Sequence, residues 1–135
     1  MIKFTTTLYA LDRPNANKRI YGDAFHHINS QELYPIFLSE EPRMEDLVGQ
    51  ARVYQCGDSI EIETLPLCNN WKQERQLKTL SEAFSKGHFA IVPSGYGEMI
   101  YDPNKDCYIV KDYRLDHFYI TNQPAFKYES KMEVV

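Results

Sequence analysis

The chain has little sulfur chemistry to offer: three cysteines, Cys56, Cys68 and Cys107, an odd number that cannot pair completely within one molecule. None of them sits in a CxxC or a Cys/His cluster, so a structural zinc site is not expected. No charged-then-apolar N-terminal stretch resembles a signal peptide, and the thiols read as reduced. The apolar runs extend for only a few residues, which excludes a membrane-spanning helix. There is no excess of positive charge either. Fifteen Lys and Arg face nineteen Asp and Glu, a net charge of −4, which gives nucleic acid or an anionic membrane no electrostatic reason to bind. Internal repeats and low-complexity segments are missing. No metal, cofactor, nucleic acid or membrane is therefore expected as a partner.

What is present is ordinary for a globular protein. Hydrophobic residues make up 43% and charged residues 25% of 135 residues, enough for one domain with one core. Ten Tyr and seven Phe against a single Trp favour strands and interfaces.

Residues 2–10 alternate, with Ile2, Phe4 and Leu8 on one parity and Lys3, Thr5, Thr7 and Tyr9 on the other, the pattern of a half-buried strand. Residues 11–18 (LDRPNANK) read as a surface loop, and 19–28 as resumed extended structure around Gly22. Residues 34–38 suit a short buried strand, and the acidic, Pro42-containing stretch 39–46 a loop. Segments 47–56 and 59–65 flank Gly57-Asp58, and glycine first in a two-residue loop predicts a hairpin with a type II′ turn. Val53, Ile60 and Ile62 would share its buried face, while Arg52, Glu61 and Glu63 point to water.

One helix is predicted. Asn70 can cap it, Gln73 stands at its third position, Leu77, Leu80 and Phe84 form an apolar stripe, and Gly87 stops it. Strands then follow at 88–92, 97–101, 107–111 and 115–121, with turns at Pro93-Ser94-Gly95 and at 102–106. Strands, one helix and strands again predict an α+β domain over 1–126, with a small, mostly antiparallel, β-barrel-like sheet. Residues 127–135 read as a polar C-terminal tail, mobile or ordered only by a partner.

Candidate chemistry is sparse. Ser94, among small residues, could present a nucleophilic hydroxyl, although Val92 two positions earlier breaks the GxSxG elbow and a plain turn serine is the commoner role. His26, His27, His88 and His117 are the available bases, but spacing alone brings none of them to Ser94. Cys68 just ahead of the helix could be activated by the dipole, or simply fill space. Glu40, Glu41, Glu45 and Asp46 lack calcium-loop spacing and form a solvated acidic face. Arg13, Lys18 and Arg19 make a small basic cluster suited to an acidic protein surface.

Several segments together resemble the prohead (capsid maturation) protease family of tailed phages. Leu11-Asp12 followed by Arg19-Ile20-Tyr21-Gly22-Asp23-Ala24-Phe25 resembles its opening, with Asp23 interrupting a Gly-Ala-Phe-like motif. Val48-Gly49-Gln50-Ala51 before the Gly57-Asp58 hairpin is similar to its next strand pair. Residues 80–87 (LSEAFSKG) resemble its helix end, 90–97 (AIVPSGYG) its nucleophilic serine segment, and 115–126 (LDHFYITNQPAF) its closing strand.

The resemblance implies that fold with an incomplete catalytic set. The family histidine would follow the strand at 34–38, where this chain reads Ser39-Glu40-Glu41, and His26 and His27 come too early. The expectation is therefore a non-catalytic auxiliary or decoration protein of the phage head. It would be made in the bacterial cytoplasm and located in the virion, binding the major capsid protein and other head proteins in many copies on an icosahedral lattice. Tyr96, Tyr101, Tyr113 and Tyr128, with Arg13 and Arg19, are the expected partner-binding residues. The alternative is an active serine protease using Ser94 with His88 or His117. A third possibility is an unrelated small β-barrel binding module in a bacterial cytoplasm.

Overall fold

A computed structural model describes residues 2–22, 24–65, 71–86, 89–125 and 128–134. Residues 2, 26, 27, 71–74, 76, 77, 80 and 128–134 are described by their backbone alone. In chain order the strands and helix are β1 (Ile2–Leu8), β2 (Arg19–Ile20), β3 (Tyr34–Phe37), β4 (Leu47–Cys56), β5 (Ser59–Thr64), α1 (Trp71–Ser85), β6 (Ala90–Asp102), β7 (Cys107–Thr121) and β8 (Tyr128–Val134). Short 3₁₀ turns occupy Ala24–His27 and Met44–Asp46.

The eight strands form one sheet in the order β2-β7-β3-β4-β5-β1-β8, with β6 hydrogen-bonded to β7. β2 and β3 run parallel to β7 and every other pairing is antiparallel. The result is an α+β fold in which a curled sheet, a half-barrel, carries a single described helix. The expected barrel is not closed among the described residues, because β6 and β8 remain unpaired edges.

Alternation in β1 buries Phe4, Thr6 and Leu8. Thr6 shares that face with the two apolar residues because a small β-branched side chain packs well on a pleated surface. Phe4 meets Phe84 of α1 at a ring-centroid distance of 5.0 Å, so Phe84 seats the helix on this end of the sheet. Asn70 and Gly87, the expected cap and stop, lie outside the described residues. At the end of β5, the Phe4 N–H donates to Thr64 Oγ1 at 2.6 Å, and the Thr64 hydroxyl donates back to the Phe4 carbonyl at 3.3 Å. Thr64 thus satisfies two backbone groups inside the core.

The β4–β5 hairpin forms as predicted, with Cys56 opposite Ser59 and a positive φ of 63° at Gly57, a conformation glycine adopts without a Cβ penalty. Val53, Ile60 and Ile62 are buried. Arg52, Glu61 and Glu63, however, are half-buried rather than open to water, and Glu63 pairs with Lys3 of β1 at 3.0 Å. Two strands away from any edge, these side chains lie along their neighbours instead of reaching out.

Four expectations change. Extended structure at 19–28 stops after Ile20, because the Gly22 N–H turns back to the Leu11 carbonyl at 2.7 Å and a 3₁₀ turn follows. The separate strands at 88–92 and 97–101 are one continuous β6, and those at 107–111 and 115–121 are one β7. No turn interrupts β6 at Pro93-Ser94-Gly95. A Cβ on Gly95 would collide with the Arg114 carbonyl, and one on Gly97 would lie 2.8 Å from the Lys111 carbonyl, so these glycines serve close strand approach. Finally, the tail is not loose. Residues 128–134 alternate in type and pair with β1 throughout, from Leu8↔Tyr128 to Ile2↔Val134, so the sheet continues past the expected boundary at 126.

Candidate functional site

The pairing of β6 with β7 shifts register twice, between Ser94 and Gly95 and between Tyr96 and Glu98. Ser94 lies opposite His117 and Gly95 opposite Leu115, which leaves Asp116 as an extra residue on β7. Tyr96 lies opposite Arg114 and Glu98 opposite Lys111, with Asp112 at a positive φ of 52° in the second irregularity. Bulges of this kind re-aim side chains. Asp116 shows the effect: its carboxylate accepts from Nδ1 of the adjacent His117 at 2.7 Å, whereas neighbours in a regular strand point to opposite faces.

Beyond the bulge, β7 resumes strict alternation. Phe118 and Ile120 enter the core, while His117, Tyr119 and Thr121 share the other face with Val92 and Ser94 of β6. That second face is not bare. Phe37 stacks edge-on against His117 with centroids 5.4 Å apart, and Nε2 of His117 donates to the Glu40 carbonyl at 2.9 Å, tying the acidic loop down over the sheet.

The Ser94 and His117 of the protease alternative are therefore cross-strand neighbours, with Asp116 on Nδ1 as in a Ser-His-Asp relay. The relay is not completed. The nitrogen that would take the serine proton, Nε2, is engaged with Glu40. His88 and Cys68 lie outside the described residues, and His26 and His27 are described by backbone alone. Among the described residues, no group of three or more His, Cys, Asp or Glu is placed to hold a metal ion. No described helix is long and apolar enough to cross a membrane.

Next to this pair opens a cavity of about 190 Å³. Its walls come from the loop at 15–19, from Val92–Gly95 of β6, from Tyr113, Tyr119 and Thr121 of β7, and from Tyr21, Glu40 and residues 123–125. The loop is rigidified by Asn15, whose Oδ1 accepts from the backbone N–H groups of Asn17 at 2.9 Å and Arg19 at 3.1 Å. The Ala16 N–H donates to the Ala125 carbonyl at 2.9 Å and closes the rim. Burial pushes the Tyr113 phenol far above its ordinary range, and the nearby Arg19 charge only partly offsets this. Burial also raises the Tyr119 phenol, with Glu40 adding to the rise.

The expected partner-binding residues separate accordingly. Tyr113 is 7% exposed and packs on Phe25 at 5.1 Å and edge-on to Tyr21 at 5.4 Å, so it is a core residue on the cavity wall and not a surface anchor. The sequence placed it between strands; the bulge at Asp112 turns it inward. Arg19 lines the cavity, Lys18 pairs with Asp106 at 3.6 Å, and Arg13 is exposed, so the basic cluster is dispersed. Tyr128 lies on β8, described by backbone alone.

Tyr96 and Tyr101 are exposed as expected, at 66% and 50%. Met99, Ile100 and Tyr108, which sequence reasoning did not single out, join them at 50%, 40% and 44%. Tyr101 and Tyr108 are cross-strand partners with rings 5.4 Å apart, and the Tyr101 hydroxyl donates to Asp106 Oδ1 at 2.6 Å. Met99 and Tyr101 share the face of Tyr108 and Ile100 turns to the opposite one, so the hairpin exposes apolar side chains on both faces.

Compared with known proteins, the chain matches no family model, no curated protein and no solved structure.

Proposed function

We propose that this chain is a non-catalytic structural protein of a phage head, an auxiliary or decoration protein that seats on the major capsid protein lattice. The observation that carries the reading is the β6–β7 hairpin, which exposes Met99, Tyr101 and Tyr108 on one face, Ile100 on the other, and Tyr96 nearer its base. Aromatic and methionine side chains are the residues enriched in protein interfaces, and a hairpin presents them on a framework that needs little ordering on binding. The Tyr101–Asp106 hydrogen bond and the Tyr101–Tyr108 contact hold two rings in place beforehand. The capsid as partner follows from the family resemblance of the sequence, and repeated copies on a shell need only modest single contacts.

Co-sedimentation with purified phage heads tests this reading. The wild-type chain pellets with heads, and a Tyr96→Ser/Tyr108→Ser double variant stays in solution while keeping its thermal midpoint. Equal pelleting of both proteins, or none by the wild type, would contradict it.

The Asp116–His117–Ser94 arrangement favours the protease as a second reading. A serine-reactive fluorophosphonate separates the two: labelling lost in Ser94→Ala supports the protease, and no labelling supports the binding protein.

A further inference from the structure

The cavity beside β6 and β7 is unusual in its charges. Arg19 and Glu40 both line it, and neither has an ion-pair partner among the described residues. Their backbones are nevertheless pinned. The Arg19 N–H donates to Asn15 Oδ1 at 3.1 Å and the Arg19 carbonyl accepts from the Asn15 N–H at 2.9 Å. The Glu40 carbonyl accepts from His117 Nε2 at 2.9 Å. Two residues of opposite charge, Glu40 exposed and Arg19 half-buried, thus border one cavity without an ion pair between them.

Tyr113, Tyr119 and Ser94 share the cavity walls with these two charged residues. At about 190 Å³ the cavity is smaller than the roughly 300–1,000 Å³ of sites for drug-sized ligands, which limits the occupant to a small molecule.

We propose that this cavity binds a small zwitterion of the free amino acid type, with its carboxylate on Arg19 and its ammonium group on Glu40. A guanidinium suits a carboxylate through two parallel N–H donors, and the phenols of Tyr113 and Tyr119 supply further donors to the same oxygens or to a polar side chain. The cavity lining includes neither Tyr96 nor Tyr101, and the site does not depend on the capsid reading.

The test is an NMR titration of the full chain with each of the twenty free amino acids at millimolar concentration. Backbone amides of residues 15–19, of Val92, Ser94 and Gly95, and of residues 119–123 shift saturably with at least one of them. N-acetylation or C-amidation of that amino acid weakens binding by about tenfold or more, as losing one charge-assisted contact requires. Glu40→Gln, which keeps the backbone carbonyl that His117 uses, gives a similar loss, and Arg19→Ala provides the reciprocal one. The proposal is overturned if none of the twenty produces saturable shifts. It is equally overturned if both blocked derivatives bind like the parent, or if Glu40→Gln leaves affinity unchanged.

Discussion

Nε2 of His117 donates to the carbonyl of Glu40 at 2.9 Å, joining residues 77 apart in sequence. With Asp116 on Nδ1 and Phe37 against the ring, the imidazole is a fastener between the sheet and the acidic loop. Replacing His117 by Ala leaves the Glu40 carbonyl without that donor and removes the ring from its packing. The expected cost is about 1–3 kcal/mol, read from urea denaturation. Ser94→Ala, by contrast, stays within about 0.5 kcal/mol of wild type. A large loss in the serine variant would mean that its hydroxyl holds structure.

Gly95→Ala tests the close approach of β6 and β7. The added Cβ meets the Arg114 carbonyl, which is backbone and cannot swing away. Destabilisation of about 1–3 kcal/mol is expected, the range for overpacking. A neutral result in thermal unfolding would show that the strands separate there without cost.

Thr64→Val keeps shape but deletes the hydroxyl that serves both backbone groups of Phe4. A buried N–H left without an acceptor costs about 1–3 kcal/mol. Thr64→Ser keeps the hydroxyl and is expected to lose less, whereas a loss in Thr64→Ser with none in Thr64→Val would assign the effect to the methyl group.

Alkaline titration reads the buried phenols. Tyr34 is pushed up to about 12, mainly by burial and then by its hydrogen bond to Glu32. Tyr113 is raised beyond it by burial. A phenol whose folded pKa is raised contributes its full stability below the unfolded value of 10.0 and loses it as pH climbs toward the folded value. The part of the tyrosinate absorbance that comes from Tyr113 is therefore expected to appear only with unfolding by circular dichroism. A single transition near the ordinary range would contradict the burial of Tyr113.

At acid pH the sign reverses for Asp106. Its carboxyl is held below the usual aspartate value, first by the Tyr101 hydroxyl and then by the Lys18 charge. The contact is intact above that value and is released as pH falls through the lowered pKa. Carbon-detected NMR of the Asp106 carboxyl reports it: titration below the usual aspartate range is expected, and titration within that range would show that Tyr101 swings free.

Much of this architecture is legible in the residue pattern because local physics decides it. Alternation marks β1, Gly57-Asp58 marks the hairpin, and the spacing of Leu77, Leu80 and Phe84 marks α1. The β6–β7 region is harder, since its glycines look like turn residues until the opposing Arg114 and Lys111 carbonyls are seen. The bulges at Asp116 and Asp112 break parity, so counting residues misplaces Tyr113 on the surface. Arg19 and Glu40 reach one cavity only through long-range pairing of β2 and β3 with β7, which no spacing along the chain encodes. The segment 128–134 carries too many charges to read as a strand alone; the free edge of β1 supplies the pairing that orders it.

Quantitative mass spectrometry of purified phage heads, reporting copy number and the termini of every head protein, tests the central claim most directly. The account predicts many intact copies of this chain per head, in fixed ratio to the major capsid protein. Few or no copies, with trimmed termini on the other head proteins, would contradict it in favour of a maturation protease. Absence without trimming would remove the protein from the head altogether.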